Sequence, residues 1–114
     1  MSGTRENQGK PPVNLILSKA WLEIAKVAEF GAKKYTPHNY RLGMRWTFFV
    51  DAGMRHLIKY CTGEKTDPES GLSHLAHVVW NFLALLEFEI EDIGENDIFP
   101  GYEKKEHSEN APGS

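Results

Sequence analysis

A single cysteine in 114 residues, Cys61, excludes an internal disulfide and points to a reducing compartment. No secretory h-region and no apolar run of membrane-spanning length is visible, so a cytoplasmic location is expected and a membrane partner is not. Cations are not in excess either. The 13 Lys and Arg against 16 Asp and Glu give a formal net charge of -3, and the basic residues are scattered instead of forming a stripe. Duplex nucleic acid is therefore not an expected partner, whereas a small anion stays open, because one local cluster of Arg or Lys holds a phosphate whatever the total charge. Internal repeats and the alternating apolar pattern of paired strands are also missing.

What is present reads as helix. Residues 1–10 and 103–114 are polar, rich in Gly, Ser, Pro and charge, and lack periodic apolar positions, so a disordered N-terminal tail (1–10) and a loose C-terminal tail (95–114), whose Phe99-Pro100-Gly101-Tyr102 either docks back or stays loose, are expected around a helical domain of 11–94. Within it, Trp21, Ile24, Val27, Ala28 and Gly31 recur at helical spacing between Ser18 and Tyr35. A second helix runs from Trp46 to about Thr62, with Gly63 placed to end it in left-handed conformation. Thr66-Asp67-Pro68-Glu69 has a capping residue, a proline and an acid in the order of a helix start, which predicts a third helix from there to about Glu91. The expected fold is all-α, a small bundle of three to four helices. The last helix is apolar nearly all round and the chain holds three Trp and six Phe, so completion by self-association as a homodimer or homotetramer is expected.

On that apolar helix His74, His77 and Asn81 share a stripe about 60° wide. Polar groups on a buried helix need partners or a ligand, so the stripe marks an interior site. His74-x-x-His77 has a spacing that holds one metal ion from one helix face, with Glu69 or Asp67 just before it to complete the set; two core histidines satisfied by neighbouring groups would look the same. Arg55 can grip phosphate with its guanidinium fork and His56 can serve as donor or general acid, although Asp51 is placed for a simple i, i+4 pair with Arg55. Lys33, Lys34 and Tyr35, followed by Asn39 and Tyr40, form a cationic and aromatic edge where a phosphate is neutralised and a base stacks, or a merely solubilising helix end. Glu23 is the acid of the first helix expected to look inward, since Val27 and Phe30 follow at i+4 and i+7.

The string FGAKKY (30–35), Asn39-Tyr40, Gly43, Arg55-His56-Leu57 and Gly63-Glu64 belong to a wider pattern. With Asp67-Pro68-Glu69-Ser70-Gly71-Leu72, His74-Leu75-Ala76-His77 and Asn81, the chain resembles, over about residues 10 to 90, a small phage-borne family. That family is named for the N-terminal domain of a dATP/dGTP diphosphohydrolase. The resemblance implies distant kinship with the all-α MazG-type pyrophosphohydrolases, whose helix-borne carboxylates hold divalent cations on a nucleoside triphosphate and release a monophosphate and pyrophosphate. Those enzymes carry Glu-x-x-Glu and Glu-x-x-Asp; here His74 and His77 stand where Glu and Asp would, and helix two offers Asp51 and Arg55-His56.

Two expectations follow from the resemblance. In an enzyme, Glu69, His74 and His77 hold a divalent ion (Mg, Mn or Zn), and Asp67 or Glu23 orients the attacking water, with His56 beside them. Arg55, Lys33 and Lys34 then meet the triphosphate, and Tyr35, Asn39, Tyr40 and Asn81 meet the nucleotide. Alternatively, the pocket binds a nucleotide or nucleotide-derived signal without hydrolysis. A purely structural role for the polar stripe, pinning helix register, is the third reading. If the chain is phage-encoded, the cytoplasm concerned is that of the host cell.

Overall fold

The computed structural model describes residues 9–15, 17–34 and 44–99. After a 3₁₀ turn at Val13–Leu15 come three α-helices: α1 (Ser18–Lys34), α2 (Trp46–Cys61) and α3 (His74–Glu91). The domain is all-α, and α3 is its centre, packed against both α2 and α1. Among the described residues no helix is long and apolar enough to cross a membrane.

One end of the α2–α3 pair carries the apolar core. Phe49 and Phe88 are fully buried and meet edge to face with ring centroids 4.9 Å apart, and Trp46 and Ala84 complete the cluster. Truncating a buried aromatic of this kind to alanine costs about 3–5 kcal/mol. Ile93 and Ile98 pack on the same cluster, so the domain runs past the expected boundary at 94. Hydrogen bonds tie this segment down: Trp46 N–H donates to Glu95 O, the Trp46 indole donates to Ile93 O at 2.8 Å, and Thr47 donates through both N–H and Oγ1 to the Asp97 carboxylate. Arg45, the residue before α2, supplies no side-chain cap, and Asp97 takes that place from fifty positions away. These bonds from Thr47 hold the Asp97 carboxyl below its ordinary range.

The third helix does not begin at Thr66–Glu69. Those residues form a tight turn within the α2–α3 link, in which Asp67 N–H donates to Leu72 O and Gly71 N–H donates back to Asp67 O. Gly71 sits at φ +75°, a left-handed conformation that stops helical propagation. Ser73 is the actual N-cap, its side chain accepting from Leu75 N–H. At the other end of α3, Asp92 adopts a left-handed C-cap and Gly94 follows at φ +76°.

α3 shows two opposed faces. His74, Ala76, His77, Asn81, Ala84 and Phe88 are buried, while Leu75, Val79, Leu83, Leu86 and Ile90 form an exposed apolar stripe within about 80° on the other side.

Candidate functional site

The end of the bundle away from the phenylalanines gathers imidazoles. His56 comes from the third turn of α2, and His74 and His77 come from the first turn of α3. The link between the helices lays Glu64, Asp67 and Ser70 against them. The imidazoles of His56 and His77 stack, with centroids 4.4 Å apart and planes within 10°. Phe30 of α1 meets His77 edge-on at 6.3 Å.

Each ring has defined partners. His74 is wholly buried; its Nε2 lies 3.1 Å from Glu64 Oε2 and its Nδ1 lies 2.8 Å from His56 Nδ1. His77 Nε2 is 2.7 Å from Ser70 Oγ and 3.4 Å from Asp67 Oδ2. Ser70 Oγ accepts Leu72 N–H and can give its one proton to Asp67 or to His77. Serine, histidine and aspartate therefore meet here, but not as a nucleophile triad: serine and aspartate share one imidazole nitrogen, so the ring cannot pass a proton between them.

The charge states follow from burial. Desolvation lowers His56 from 6.5 to about 4, assisted by the neighbouring His77, and desolvation also lowers His77 against the opposing pull of Asp67. Both rings are neutral near pH 7. For Asp67 burial acts upward, yet the bonds from Glu69 N–H and Ser70 prevail and hold its carboxyl below the ordinary range, so it stays ionised. Two neutral imidazoles and one carboxylate are a donor set for a divalent ion, whereas ion pairing of these rings with a phosphate would require imidazolium.

A ligand nitrogen from each of His56 and His77 and an oxygen of Asp67 lie within 4.8 Å of one another, the one such group of three or more among the described residues. These residues fit a metal in chemistry and in reach. In the stack their in-plane lone pairs run in parallel planes, so closing on one ion turns at least one ring.

This grouping differs from the expected ligand set of Glu69, His74 and His77. Both nitrogens of His74 are engaged, and Glu69 points to α1, where Lys34 Nζ is 2.5 Å from its carboxylate. His56, expected as a general acid, joins His77 instead. Glu23 does not look inward: its half-exposed carboxylate pairs with Lys26 at 2.8 Å, on an open depression along the outer side of α1 that it shares with Lys19, Leu22 and Glu29. Lys33 pairs with Glu29 on the surface. Lys34 also lies 5.9 Å from the centre of the Phe30 ring, on the cluster side. Arg55 is exposed, near enough to His56 to disfavour its protonation, and among the described residues no ion pair joins it to Asp51. Asn81 is buried and donates to His77 O one turn back, which fixes the helix under the ring. Tyr35, Asn39 and Tyr40 lie outside the described residues. Ser70 carries no site role in the sequence pattern beyond its place in the Asp67–Leu72 string; its only local signal is the Ser-Gly pair of a turn.

Comparisons with known proteins agree with the pattern. The family described as "dATP/dGTP diphosphohydrolase, N-terminal" matches residues 1–98. A dATP/dGTP diphosphohydrolase of Salmonella phage PMBT28 is 35 % identical over 77 residues, covering 68 % of this chain and 26 % of the relative. The chain thus spans about a quarter of the length of the curated relative it matches. No solved structure matches it. With the motif-bearing region inside the matched span, this chain belongs to the dATP/dGTP diphosphohydrolase N-terminal family.

Proposed function

We propose that this domain handles a (deoxy)nucleoside triphosphate as a divalent-metal-dependent diphosphohydrolase, cleaving between the α- and β-phosphorus to give a nucleoside monophosphate and pyrophosphate. The observation that carries the reading is the convergence of neutral His56, neutral His77 and ionised Asp67 at the mouth of the α2–α3 pair. The name of the phage relative supplies the substrate class.

In this reading His56, His77 and Asp67 would hold the ion, whose charge would offset that of the phosphates and favour ionisation of an attacking water. Lys34 exchanges its Glu69 partner for a phosphate oxygen, and exposed Arg55 meets the outer phosphates. When His77 turns out of the stack, the Ser70 hydroxyl keeps Asp67 as its acceptor, since its one proton can be directed to either partner. The outer apolar stripe of α3 supports the self-association that completes the assembly.

The test is pyrophosphate release from each of the common dNTPs with Mn²⁺, Mg²⁺ or Zn²⁺. Release that is abolished in Asp67→Asn and His77→Ala is expected. Strong thermal stabilisation by an intact nucleotide with chelator present, and no release under any metal, would establish the non-hydrolytic binding module instead.

A further inference from the structure

The three histidines are not equivalent in how their protons are placed. Ser70 can serve His77 as donor or as acceptor, so the proton of that ring is free to change sides. His56 is different. Its Nδ1 faces another imidazole nitrogen at 2.8 Å, and such a contact needs one proton and one lone pair.

The far side of His74 decides which ring gives the proton. Its Nε2 faces the Glu64 carboxylate at 3.1 Å, and an ionised carboxylate only accepts. His74 therefore carries its proton on Nε2. In that tautomer Nδ1 is a lone pair, so across the 2.8 Å contact His56 Nδ1–H is the donor. The remaining nitrogen of His56, Nε2, is then unprotonated.

We infer that Glu64 is a positioning residue: through His74 it holds the His56 proton on Nδ1 and keeps Nε2 as a lone pair for the group formed with Asp67 and His77. Glu64 touches neither of the latter two in any hydrogen bond or ion pair described, and it acts two contacts away. The consequence for the site is selectivity. A fixed nitrogen donor beside a second imidazole and one carboxylate favours a borderline ion such as Zn²⁺ or Co²⁺ over Mg²⁺, which prefers oxygen. That consequence, but not the proton placement, rests on the metal-dependent reading above.

The experiment is long-range ¹H–¹⁵N correlation of the histidine rings in the full, chelator-treated chain at about pH 8, where ordinary imidazoles are neutral, followed by Co²⁺ titration. The expected spectrum shows His56 as the Nδ1–H tautomer and His74 as the Nε2–H tautomer. Glu64→Ala should release His56 into a mixture of tautomers and weaken Co²⁺ at least about tenfold, while Glu64→Gln, whose amide oxygen still accepts, should stay near wild type in both. His56 found as Nε2–H in the wild type, or unchanged in Glu64→Ala, overturns the inference. The expected tautomers with no Co²⁺ uptake confirm the proton placement and overturn the metal reading alone.

Discussion

His56 and His77 lie face to face across the α2–α3 seam, their ring centroids 4.4 Å apart, although 21 positions separate them in the chain. Two neutral rings can stack at this distance; two cations would repel. The pairing therefore makes the domain acid-sensitive.

The fold should lose stability as pH falls from about 6.5 toward 4. His56 is lowered to about 4 and His77 is lowered too, so in that window the unfolded chain binds more protons than the native one. Their stabilising effect is complete above the unfolded histidine value and is lost through the folded one; Asp67, lowered from 3.8, adds its own loss only further down. Urea midpoints measured across this range should fall with acid, and His56→Gln should flatten the fall. A midpoint independent of pH there contradicts the assignment.

Lys34→Ala should weaken nucleotide binding about tenfold, equivalent to ~1.4 kcal/mol, with little change in melting, because its exposed pair with Glu69 contributes at most about 1 kcal/mol. Calorimetric titration with a non-hydrolysable dNTP analogue and a thermal melt read the two quantities separately.

Two glycines of left-handed conformation should respond unequally to alanine. A Cβ at Gly71 meets nothing within 4 Å, so only the backbone strain of about 1–2 kcal/mol applies. At Gly94 a Cβ falls 2.6 Å from Met44 O and 2.6 Å from the Phe88 ring, which adds overpacking of about 1–3 kcal/mol. Chemical denaturation should rank Gly94→Ala clearly below Gly71→Ala.

Leu86→Lys on the outer stripe of α3 should convert an oligomer to monomer at unchanged helix content, as sedimentation and circular dichroism would show. Identical sedimentation of variant and wild type would exclude this face as the contact.

Much of this architecture is legible in the chain because it is local. The periodicity of residues 18–34 and 46–61, Gly63 at φ +109° after α2, and the buried stripe of His74, His77 and Asn81 all follow from spacing along one helix. The misreadings come where tertiary contacts override a local signal. Asp67-Pro68-Glu69 has the composition of a helix start, yet Gly71 turns the chain and Ser73 caps it, which frees Asp67 to face His77 and sends Glu69 to Lys34. The entry of His56 into the cluster depends on the register between α2 and α3, and the Asp97 cap on α2 depends on a chain return; neither is encoded in a short window.

The most direct measurement is an anomalous difference map of crystals grown with Zn²⁺ or Mn²⁺ and a non-hydrolysable dNTP analogue. A peak bonded by His56, Asp67 and His77, with phosphate oxygens completing its shell, is expected. Nucleotide density at this end of the bundle with no anomalous peak among those three side chains would contradict it.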